Sequence, residues 1–593
     1  MSKYFILLII LVTTIMLSAQ SPRISYTLAM PKPGTHIFEI GINFENINDT
    51  DIDLILPVWR PGRYLIFDFA SGLVDFSAND ENNHPLKWDK INKCTWRIHI
   101  GTNKQLTVNY KVYSNEFDLR TRGLNDEHGF IDGTSVFMYS EKYRYQPITL
   151  KVEPYTGWHV TTGLDIIIGN NLEFTAPNYD YFVDCPLEIG NQKDIEFDVD
   201  GIKHIISICG DLKYDNDTLI KDFTSIIKKE FEFWGKVPYN KYVFIIHISE
   251  QGGGTEHINS CVIDVPVSAF EERTSYEDFL HVISHEFFHT WNVKQLRPKG
   301  LSPYDYTKEN YTSELWIAEG GTSYYESLIV LRTGQLSIDD FYKELAKLVE
   351  RERRRPGNKI QSLAESSFDA WIKFWKGTQQ SFNTESSYYA KGANVSLILD
   401  LEIRHHTNNA GSLDSVYRKM FERFPLGTGY TNSDFQKVCE EVNGTSLQKF
   451  FNDYVYGTKL IDWDKYFSYA GLELVSEDSS AIPAIGLNLY EMNSKLMVSS
   501  VITGSSAEDA GLDIGDEIIA LNGERVNMAQ FNKKIEKSQL GDKITLSIFR
   551  DNKLKEIELV LKEAKLPNYK IEKIENPSEL QKNIYENWLG VNW

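Results

Sequence analysis

The sequence predicts a multidomain α+β protein in which an N-terminal all-β domain precedes an α-rich domain and a smaller C-terminal domain. The chain has 593 residues, which is too long for a single hydrophobic core. From Ile24 to about Asp198, short apolar runs are separated by turn residues, a pattern typical of strands. Between about Gly201 and Tyr469, apolar residues recur at helical spacing over longer stretches. A hydrophobic content of 42% is enough to form packed cores.

Changes in these patterns predict five segments: a signal peptide at 1–19, a β domain at 20–198, an α-rich domain at 199–470, a C-terminal domain at 471–566 and a tail at 567–593. The signal peptide is indicated by Lys3, the apolar run Tyr4–Leu17 and the small residues Ser18 and Ala19. We therefore expect a periplasmic or secreted protein. An uncleaved anchor is the alternative, and no other apolar run reaches the length of a membrane span.

Charge and cysteine content argue against some classes of partner and scaffold. The chain has 62 basic and 83 acidic residues, a formal net charge of −21, which argues against nucleic acid or anionic membranes as partners. The five cysteines are few and odd in number, and they show neither metal-ligand spacing nor a disulfide framework. We expect a fold that does not depend on disulfides. The cysteines are Cys94, Cys185, Cys209, Cys261 and Cys439.

Two histidines four residues apart, His285 and His289, occur in a segment that predicts a helix. From Tyr276 to Asn292, apolar residues recur at helical spacing and no Pro or Gly interrupts the pattern. Residues four apart lie on the same helix face, so both rings can reach one metal ion. Glu286 lies close enough to accept a proton from a water molecule at that ion. The pattern is typical of zinc-dependent cleavage of amide bonds.

A third ligand has to come from another element, because a catalytic zinc site uses three protein ligands and keeps a fourth position open. Glu319 is the best candidate, at the start of a second helical stretch that runs toward Leu331. A carboxylate beside two imidazoles is a set that zinc accepts. The alternatives are surface or core histidines and a carboxylate favoured by a helix N-terminus. His281 lies one turn upstream on the same face, and we interpret it as a packing residue or a support for the ligands.

Three segments carry a family resemblance: HEFFHTWNVKQLRP at His285–Pro298, LWIAEGGTSYYE at Leu315–Glu326 and YYAKG at Tyr388–Gly392. They resemble the glycyl aminopeptidase family of zinc metallopeptidases, which belongs to the gluzincin group. The resemblance extends over nearly the whole mature chain and implies a thermolysin-like α-rich catalytic domain with one Zn²⁺ per chain. It implies that the zinc ligands are His285, His289 and Glu319. It also implies that Glu286 is the general base.

The resemblance also implies a role for Tyr389. In related zinc aminopeptidases, a tyrosine in a Tyr-x-Lys-Gly motif donates a hydrogen bond to the tetrahedral intermediate, and Tyr389 matches that position. A phenol can stabilise the negative charge that develops on oxygen in a dry site. The alternatives are that Tyr389 only packs at a helix start, or that the adjacent Tyr388 has the catalytic role.

A glycine-rich segment, Gln251–His257, bears on specificity. Gly253 and Gly254 allow a backbone to approach a ligand closely, and an edge strand here could pair with an extended peptide. The segment resembles the Gly-Gly-x-Glu-His motif of the same family, and this likeness implies that Glu256 binds the free α-amino group of the substrate. The alternative is a flexible turn with a solvated acid. In the β domain, Trp59–Tyr64 resembles a tryptophan-containing motif of the family.

The segment Gly511–Gly523 resembles the centre of a PDZ domain, with a turn, a strand at Ile518–Leu521 and an Asn-Gly pair suited to a hairpin. PDZ domains add a peptide strand to a sheet edge and often bind a C-terminal carboxylate, so a peptide C-terminus is a candidate partner. The expected binding loop near Ile485–Leu489 fits the family pattern only loosely. A structural role between domains is therefore the alternative.

These features together predict a zinc aminopeptidase acting on peptides with a free N-terminus, and the resemblance implies a preference for N-terminal Gly or Ala. Two alternatives stay open. The first is a zinc endopeptidase with the same site, in which Glu256 does not bind the amine. The second is a PDZ-type binding or scaffold protein with a vestigial peptidase domain, although the complete ligand set and general base argue against it.

Overall fold

The computed structural model describes residues 21–211, 214–477, 482–564 and 566–593, so the predicted signal peptide lies outside the described residues. The chain divides into two compact units. The first contains the described residues up to 211 together with Tyr239–Val267 and Tyr306–Glu309. The second contains Tyr214–Pro238, Ser268–Asp305 and the described residues from Asn310 to Trp593.

The first unit is built almost entirely of strands. A seven-stranded sheet has the order Asp165–Ile166, Glu173–Ala176, Ile148–Glu153, Arg23–Ala29, Ile37–Glu45, Gln105–Tyr113 and Leu73–Asn79. A five-stranded sheet has the order His159–Thr162, Leu187–Gly190, His128–Ile131, Arg122–Leu124 and Asn115–Glu116. A three-stranded sheet has the order Asp51–Ile55, Thr95–His99 and Trp88–Asn92.

Alternating burial explains why these segments form strands. In Ile37–Glu45, every second side chain is buried, beginning with Phe38 and ending with Phe44, while the residues between them are half-buried. Since successive side chains of a strand point to opposite faces, this pattern places one apolar face against a core. Tyr26 and Tyr110 are buried in the same core, and their hydroxyl groups donate to the backbone oxygens of Met138 and Val136.

A fourth sheet of the first unit is mixed, with five strands in the order Lys193–Val199, Ile202–Cys209, Lys241–Ile248, Ser260–Val265 and Gly253–Glu256. Its three central strands are parallel, and the two outer strands are antiparallel to their neighbours. Tyr242–Ile246 are all buried, as expected for a strand that is covered on both faces. The glycine-rich segment predicted from the sequence forms the short edge strand.

The second unit is mainly helical outside its C-terminal sheet. Its long helices are Asn216–Trp234, Arg273–Phe288, Gly321–Arg332, Ile338–Arg354, Ala390–His406, Leu413–Arg423 and Asn432–Asn443, followed by the shorter Gln448–Tyr454 and Trp463–Tyr469. Their core is rich in aromatic rings: the Trp234 indole stacks on Trp291 at 5.7 Å and contacts Phe288 at 4.9 Å. These contacts fix the helices around the motif-bearing helix Arg273–Phe288.

The PDZ region contains a six-stranded sheet. Five of its strands have the order Leu487–Met492, Lys495–Val501, Glu517–Leu521, Lys543–Arg550 and Lys553–Val560, and the sixth, Glu524–Arg525, pairs with the third. The helices Ser506–Asp509 and Met528–Lys537 belong to the same region. It has its own apolar core, which includes Leu546, Ile548 and Phe531. The predicted fold class, a multidomain α+β chain with an N-terminal all-β domain, an α-rich domain and a C-terminal PDZ domain, is confirmed. The domain boundaries stay predictions.

The PDZ region is inserted between two strands of the helical part. Leu472–Ser476 and Tyr569–Lys573 pair antiparallel, with Ser476 opposite Tyr569. The chain then forms a helix, Glu579–Leu589, whose Trp588 is fully buried and donates through Nε1 to the Tyr324 hydroxyl at 2.9 Å. The predicted tail is therefore an integral part of the helical core.

No helix in the described part of the chain has both the length and the apolar character needed to cross a lipid bilayer.

Candidate metal centre

The helix Arg273–Phe288 presents the histidine pair on one face and an apolar surface on the other. Phe279, Ile283 and Phe287 are buried, and Phe279 contacts Phe223 of the helix Asn216–Trp234 at 6.0 Å. The helix ends at Phe288, four residues before the predicted end. The chain turns there, and Val293 has a φ of 120°, an unfavourable value for a β-branched residue. Strained backbone of this kind is found where the surrounding structure enforces it, often at functional sites.

Three side chains predicted as ligands lie together. The Nε2 atoms of His285 and His289 are 3.1 Å apart, and Glu319 Oε2 lies 3.2 Å from His289 Nε2 and 3.9 Å from His285 Nε2. Zinc bound tetrahedrally at about 2.0–2.1 Å by nitrogen or oxygen separates its ligand atoms by about 3.3 Å. The donor types and the spacing therefore fit a zinc ion. His289 and Glu319 are also buried, and the His285 side chain is 13% exposed.

Two further residues hold the imidazole rings from behind. His285 Nδ1 contacts Glu326 Oε2 at 2.6 Å, and His289 Nδ1 contacts the backbone oxygen of Asn292 at 2.8 Å. Both contacts orient Nε2 of each ring toward Glu319. Neither residue was assigned this role from the sequence. Glu326 could have been found from its spacing, since it lies seven residues, or two helical turns, after Glu319.

Asn292 also connects the two segments that carry the candidate ligands. Its side-chain amide donates to the backbone oxygens of Ile317 and Ala318 and to the Thr322 hydroxyl, each at 3.0 Å. It therefore joins the turn after His289 directly to the segment that carries Glu319. The rings and the carboxylate are held by one hydrogen-bonded network.

Glu319 lies in a π-helical turn, Trp316–Gly320, that leads into the helix Gly321–Arg332. Such turns are rare and are often found at functional sites. The glycines that follow allow close packing: a Cβ on Gly320 would lie 2.5 Å from the Gly392 Cα, and a Cβ on Gly321 would lie 1.8 Å from the Tyr417 hydroxyl. Gly392, the glycine of the Tyr-x-Lys-Gly segment, therefore allows the helix that follows Tyr389 to pack directly against the turn that carries Glu319.

The electrostatics of the cluster follow from burial and proximity. Burial opposes the ionised form of Glu319, but the adjacent His289 and His285 rings lower the pKa of this carboxyl to about 2. Burial disfavours a charged His285, yet Glu319 and Glu326 hold the pKa of that ring well above its ordinary value. The cluster therefore favours positive charge beside Glu319. A metal cation that binds there displaces a proton.

The tyrosine pair of the YYAKG segment has two different environments. Tyr389 is half-buried, and its ring lies 6.4 Å from the His285 ring. Tyr388 is fully buried, and its hydroxyl accepts a hydrogen bond from Trp375 Nε1 at 3.0 Å. Tyr389 is the more accessible of the two to a substrate, which agrees with its predicted role, although that role stays a prediction.

The remaining predicted residues lie as follows. Glu286 is on the motif helix and is 6% exposed. His281 lies apart from the three-residue cluster, with Nδ1 3.8 Å from Glu344 Oε1. Gly253, Gly254 and Glu256 lie in the first unit, on the edge strand Gly253–Glu256.

Within the first unit, the Glu256 carboxylate lies against Gly62. A Cβ on Gly62 would lie 2.6 Å and 2.7 Å from the two carboxylate oxygens and 2.9 Å from Arg60 Nη1. Arg60 donates to the Thr255 hydroxyl and forms an ion pair with Asp132 at 2.9 Å. The Trp59–Tyr64 segment and the glycine-rich strand therefore form one buried polar cluster.

Sequence comparison matches the chain to three domain families: the M61 peptidase N-terminal domain at residues 25–191, the M61 glycyl aminopeptidase at 278–395 and the PDZ domain at 483–561. No curated protein matches the chain. Among solved structures, an aminopeptidase N family protein from Idiomarina loihiensis is similar with a TM-score of 0.89 and 28% identity, over 95% of this chain and 100% of that chain.

More distant similarity is found to an M1 zinc metallopeptidase from Deinococcus radiodurans, with a TM-score of 0.46 and 12% identity over 74% of this chain and 96% of that chain. A mutant of that peptidase bound to a Tyr-Ser-Ala substrate has a TM-score of 0.47 and 14% identity over the same shares.

We predict that Glu326→Gln weakens metal binding by about 10–100-fold, because the support of a ligating imidazole by a carboxylate is lost. Titration of the metal-free protein with Zn²⁺ against a competing chelator measures this. Glu422→Gln, an exposed site on the helix Leu413–Arg423, is the control and should leave affinity unchanged. Equal affinities for the two variants would contradict the role of Glu326.

Proposed function

We propose that this chain, a metallopeptidase that matches the M61 peptidase family models at residues 25–191 and 278–395, is a zinc-dependent aminopeptidase that releases small N-terminal residues from peptides. The observation that carries the proposal is the convergence of His285 Nε2, His289 Nε2 and Glu319 Oε2 within 3.9 Å of one another. Two neutral imidazoles and one carboxylate are the donor set of zinc hydrolases of the thermolysin type.

In this proposal, His285, His289 and Glu319 hold one Zn²⁺ per chain. Bound zinc supplies a Lewis acid that polarises the scissile carbonyl and makes water more acidic. Glu326 and Asn292 keep each ring in the tautomer that leaves Nε2 free for the cation. The glycine contact between residues 320 and 392 keeps the segment that carries Glu319 close to the Tyr389 helix.

Glu286 moves the protons. Its carboxylate accepts a proton from the attacking water and passes it to the amine that leaves. The position of Glu286 on the motif helix, next to His285, supports this role.

Tyr389 stabilises the oxyanion by donating its phenolic hydrogen to it. The support is its position beside the His285 ring and its partial exposure. Tyr388 has a different function, since its hydroxyl accepts from Trp375 and its ring is enclosed between Phe374 and Tyr389 at 4.8 Å from each.

Glu256 binds the free α-amino group of the substrate and thereby limits cleavage to the first peptide bond. This assignment is supported by the match of the glycine-rich segment to the family motif. It is also supported by the burial of Glu256 at 5% exposure on an edge strand, since a buried carboxylate pairs strongly with a cation. The proposed preference for Gly or Ala rests on the resemblance to the M61 glycyl aminopeptidase family.

The PDZ region binds an extended peptide. Leu487–Met492 is an edge strand, and a cavity of about 630 Å³ lies beside it, lined by apolar residues that include Leu487, Leu489, Met528 and Phe531. Arg353 and Arg354 of the helix Ile338–Arg354 also line it. An open edge supplies backbone hydrogen bonds, and the arginines favour a carboxylate, so a peptide C-terminus fits this groove.

We further propose that the mature protein acts in the periplasm or outside the cell.

We predict that Glu286→Gln keeps bound zinc but lowers kcat by about 10²–10⁴-fold, because the amide cannot accept a proton. Metal content by atomic emission and hydrolysis of glycine anilide measure the two effects. Glu272→Gln, exposed at the start of the same helix, is the control and should retain full activity. Substantial activity in Glu286→Gln would remove the assigned general base.

We predict that N-acetylated peptides are cleaved at least about 30-fold more slowly than free peptides, since losing a buried charge pair costs about 2–5 kcal/mol. The kcat/KM values for glycine anilide and N-acetylglycine anilide provide the measurement. Glu256→Gln should reduce this discrimination, whereas Glu250→Gln on the exposed preceding turn should not. Equal cleavage of both substrates by the native protein would instead favour an endopeptidase.

We predict that excising the PDZ region raises KM for long peptides by about tenfold, or about 1.4 kcal/mol of binding, while dipeptide cleavage stays nearly unchanged. Because Ser476 pairs with Tyr569, residues 477–568 can be replaced by an Asn-Gly turn that joins the two strands as a hairpin. This design keeps the buried helix Glu579–Leu589.

A point variant provides an independent test of the groove. Leu489→Glu on the groove strand should raise KM for long peptides, whereas Leu554→Glu on the opposite edge strand, where the side chain is 59% exposed, should not. Equal loss of dipeptide and long-peptide cleavage after excision would show that the region acts structurally.

A further inference from the structure

A second cluster of metal-binding side chains lies in the first unit, on strands that carry none of the proposed zinc ligands. His128, Glu188, Cys209 and His247 each offer a ligand atom, and these atoms all lie within 4.8 Å of one another. His128 Nδ1 is 2.7 Å from Glu188 Oε1, and His247 Nε2 is 2.9 Å from Glu188 Oε2. The Glu188 side chain is completely buried.

The four residues come from two different sheets. His128 and Glu188 lie on the adjacent strands His128–Ile131 and Leu187–Gly190 of one sheet. Cys209 and His247 are opposite each other on adjacent parallel strands of the mixed sheet. The residues are distant in sequence, and the fold brings them together where the two sheets meet.

Charge and donor chemistry favour a divalent cation of the zinc class. A thiolate and a carboxylate together carry two negative charges, and two neutral imidazoles add none, so the set neutralises a dication in a buried position. Cys, His and Glu are all zinc ligands, and the mixture of soft and borderline donors disfavours Mg²⁺ and Ca²⁺. Four protein ligands leave no open position, which is typical of a structural site.

The surroundings support ligation. His247 Nδ1 lies 3.6 Å from Asp264 Oδ1, so a carboxylate stands behind the ring while Nε2 faces the cluster. The His128 ring stacks on Phe117 at 4.9 Å, and Phe117 occupies the space that a Gly123 side chain would fill, since a Cβ there would lie 2.3 Å from that ring. The His128 side chain is 21% exposed and gives a cation a path to the cluster.

In the absence of a cation, protons occupy this cluster. Burial raises the pKa of the Cys209 thiol well above its ordinary value, and Glu188 adds to the effect. Burial disfavours a charged His247, but Glu188 and Asp264 raise the pKa of this ring to about 9. A dication that binds there competes with protons for these side chains, because a thiol and an imidazole ligate a metal in their deprotonated forms.

We propose that His128, Glu188, Cys209 and His247 form a second, structural metal site of the zinc class that joins two sheets of the first unit. It goes beyond the proposed peptidase function, since it uses no catalytic residue. The site would fix the two sheets to each other in a chain whose five cysteines, all among the described residues, form no disulfide.

Metal counting tests the proposal on the full chain, stripped with a chelator and reloaded with Zn²⁺. We expect two zinc ions per native chain and one in Cys209→Ser. Cys261→Ser alters another buried cysteine of the same sheet and should keep two. His289→Ala should lose only the peptidase zinc, so failure of the proposed catalytic site and failure of this one are distinguishable.

Cobalt provides an independent readout, because only this site offers a thiolate. Reloading with Co²⁺ should produce a thiolate-to-cobalt charge-transfer absorption in the native chain, in Cys261→Ser and in His289→Ala, and none in Cys209→Ser. His128→Ala, at a partly exposed position, serves as a second variant if Cys209→Ser does not fold, and it should weaken or abolish the band. A native chain without the band, or a band that survives Cys209→Ser, would overturn the proposal.

Discussion

The buried contact between Glu319 and two imidazole rings is the constraint on which the candidate metal centre depends. An ionised carboxylate enclosed by protein is unfavourable unless positive charge and hydrogen bonds compensate it. His285 and His289 lie within 3.9 Å of it, and the pKa of Glu319 falls to about 2 despite burial. Glu326 and the backbone oxygen of Asn292 hold the two rings in this arrangement through their Nδ1 atoms, and the Asn292 side chain ties the turn to the segment that carries Glu319.

The glycines of the two motifs have a packing function that is easily mistaken for flexibility. Gly320 and Gly392 face each other so closely that a methyl group on either would overlap the other backbone. The segments that carry Glu319 and Tyr389 are thereby held in direct contact. Side chains held on closely packed backbone keep their geometry better than side chains on mobile loops.

The features of the site that local periodicity determines could be predicted from the sequence. The separation of His285 and His289 follows from helix pitch, and Glu319 follows from the need for a third ligand near by. Contacts between distant segments could not be predicted: the π-helical turn and the support of His289 by Asn292 depend on packing. Cys209 showed no metal-ligand spacing, because its neighbours His128, Glu188 and His247 come from other strands. The helix Glu579–Leu589 was not predicted, although the sequence indicates it. A capping box at Ser578 and Gln581 marks its start, and Gly590 follows its end.

The paired strands Leu472–Ser476 and Tyr569–Lys573 give the PDZ region a double attachment, since its chain enters and leaves through one hairpin stem. A module held at both ends cannot swing freely as a module on a single linker does. A polypeptide bound in its groove would consequently stay within a restricted volume around the helical core. Its effective concentration there would be set by the way the PDZ region is attached, and not by the concentration of free peptide in solution.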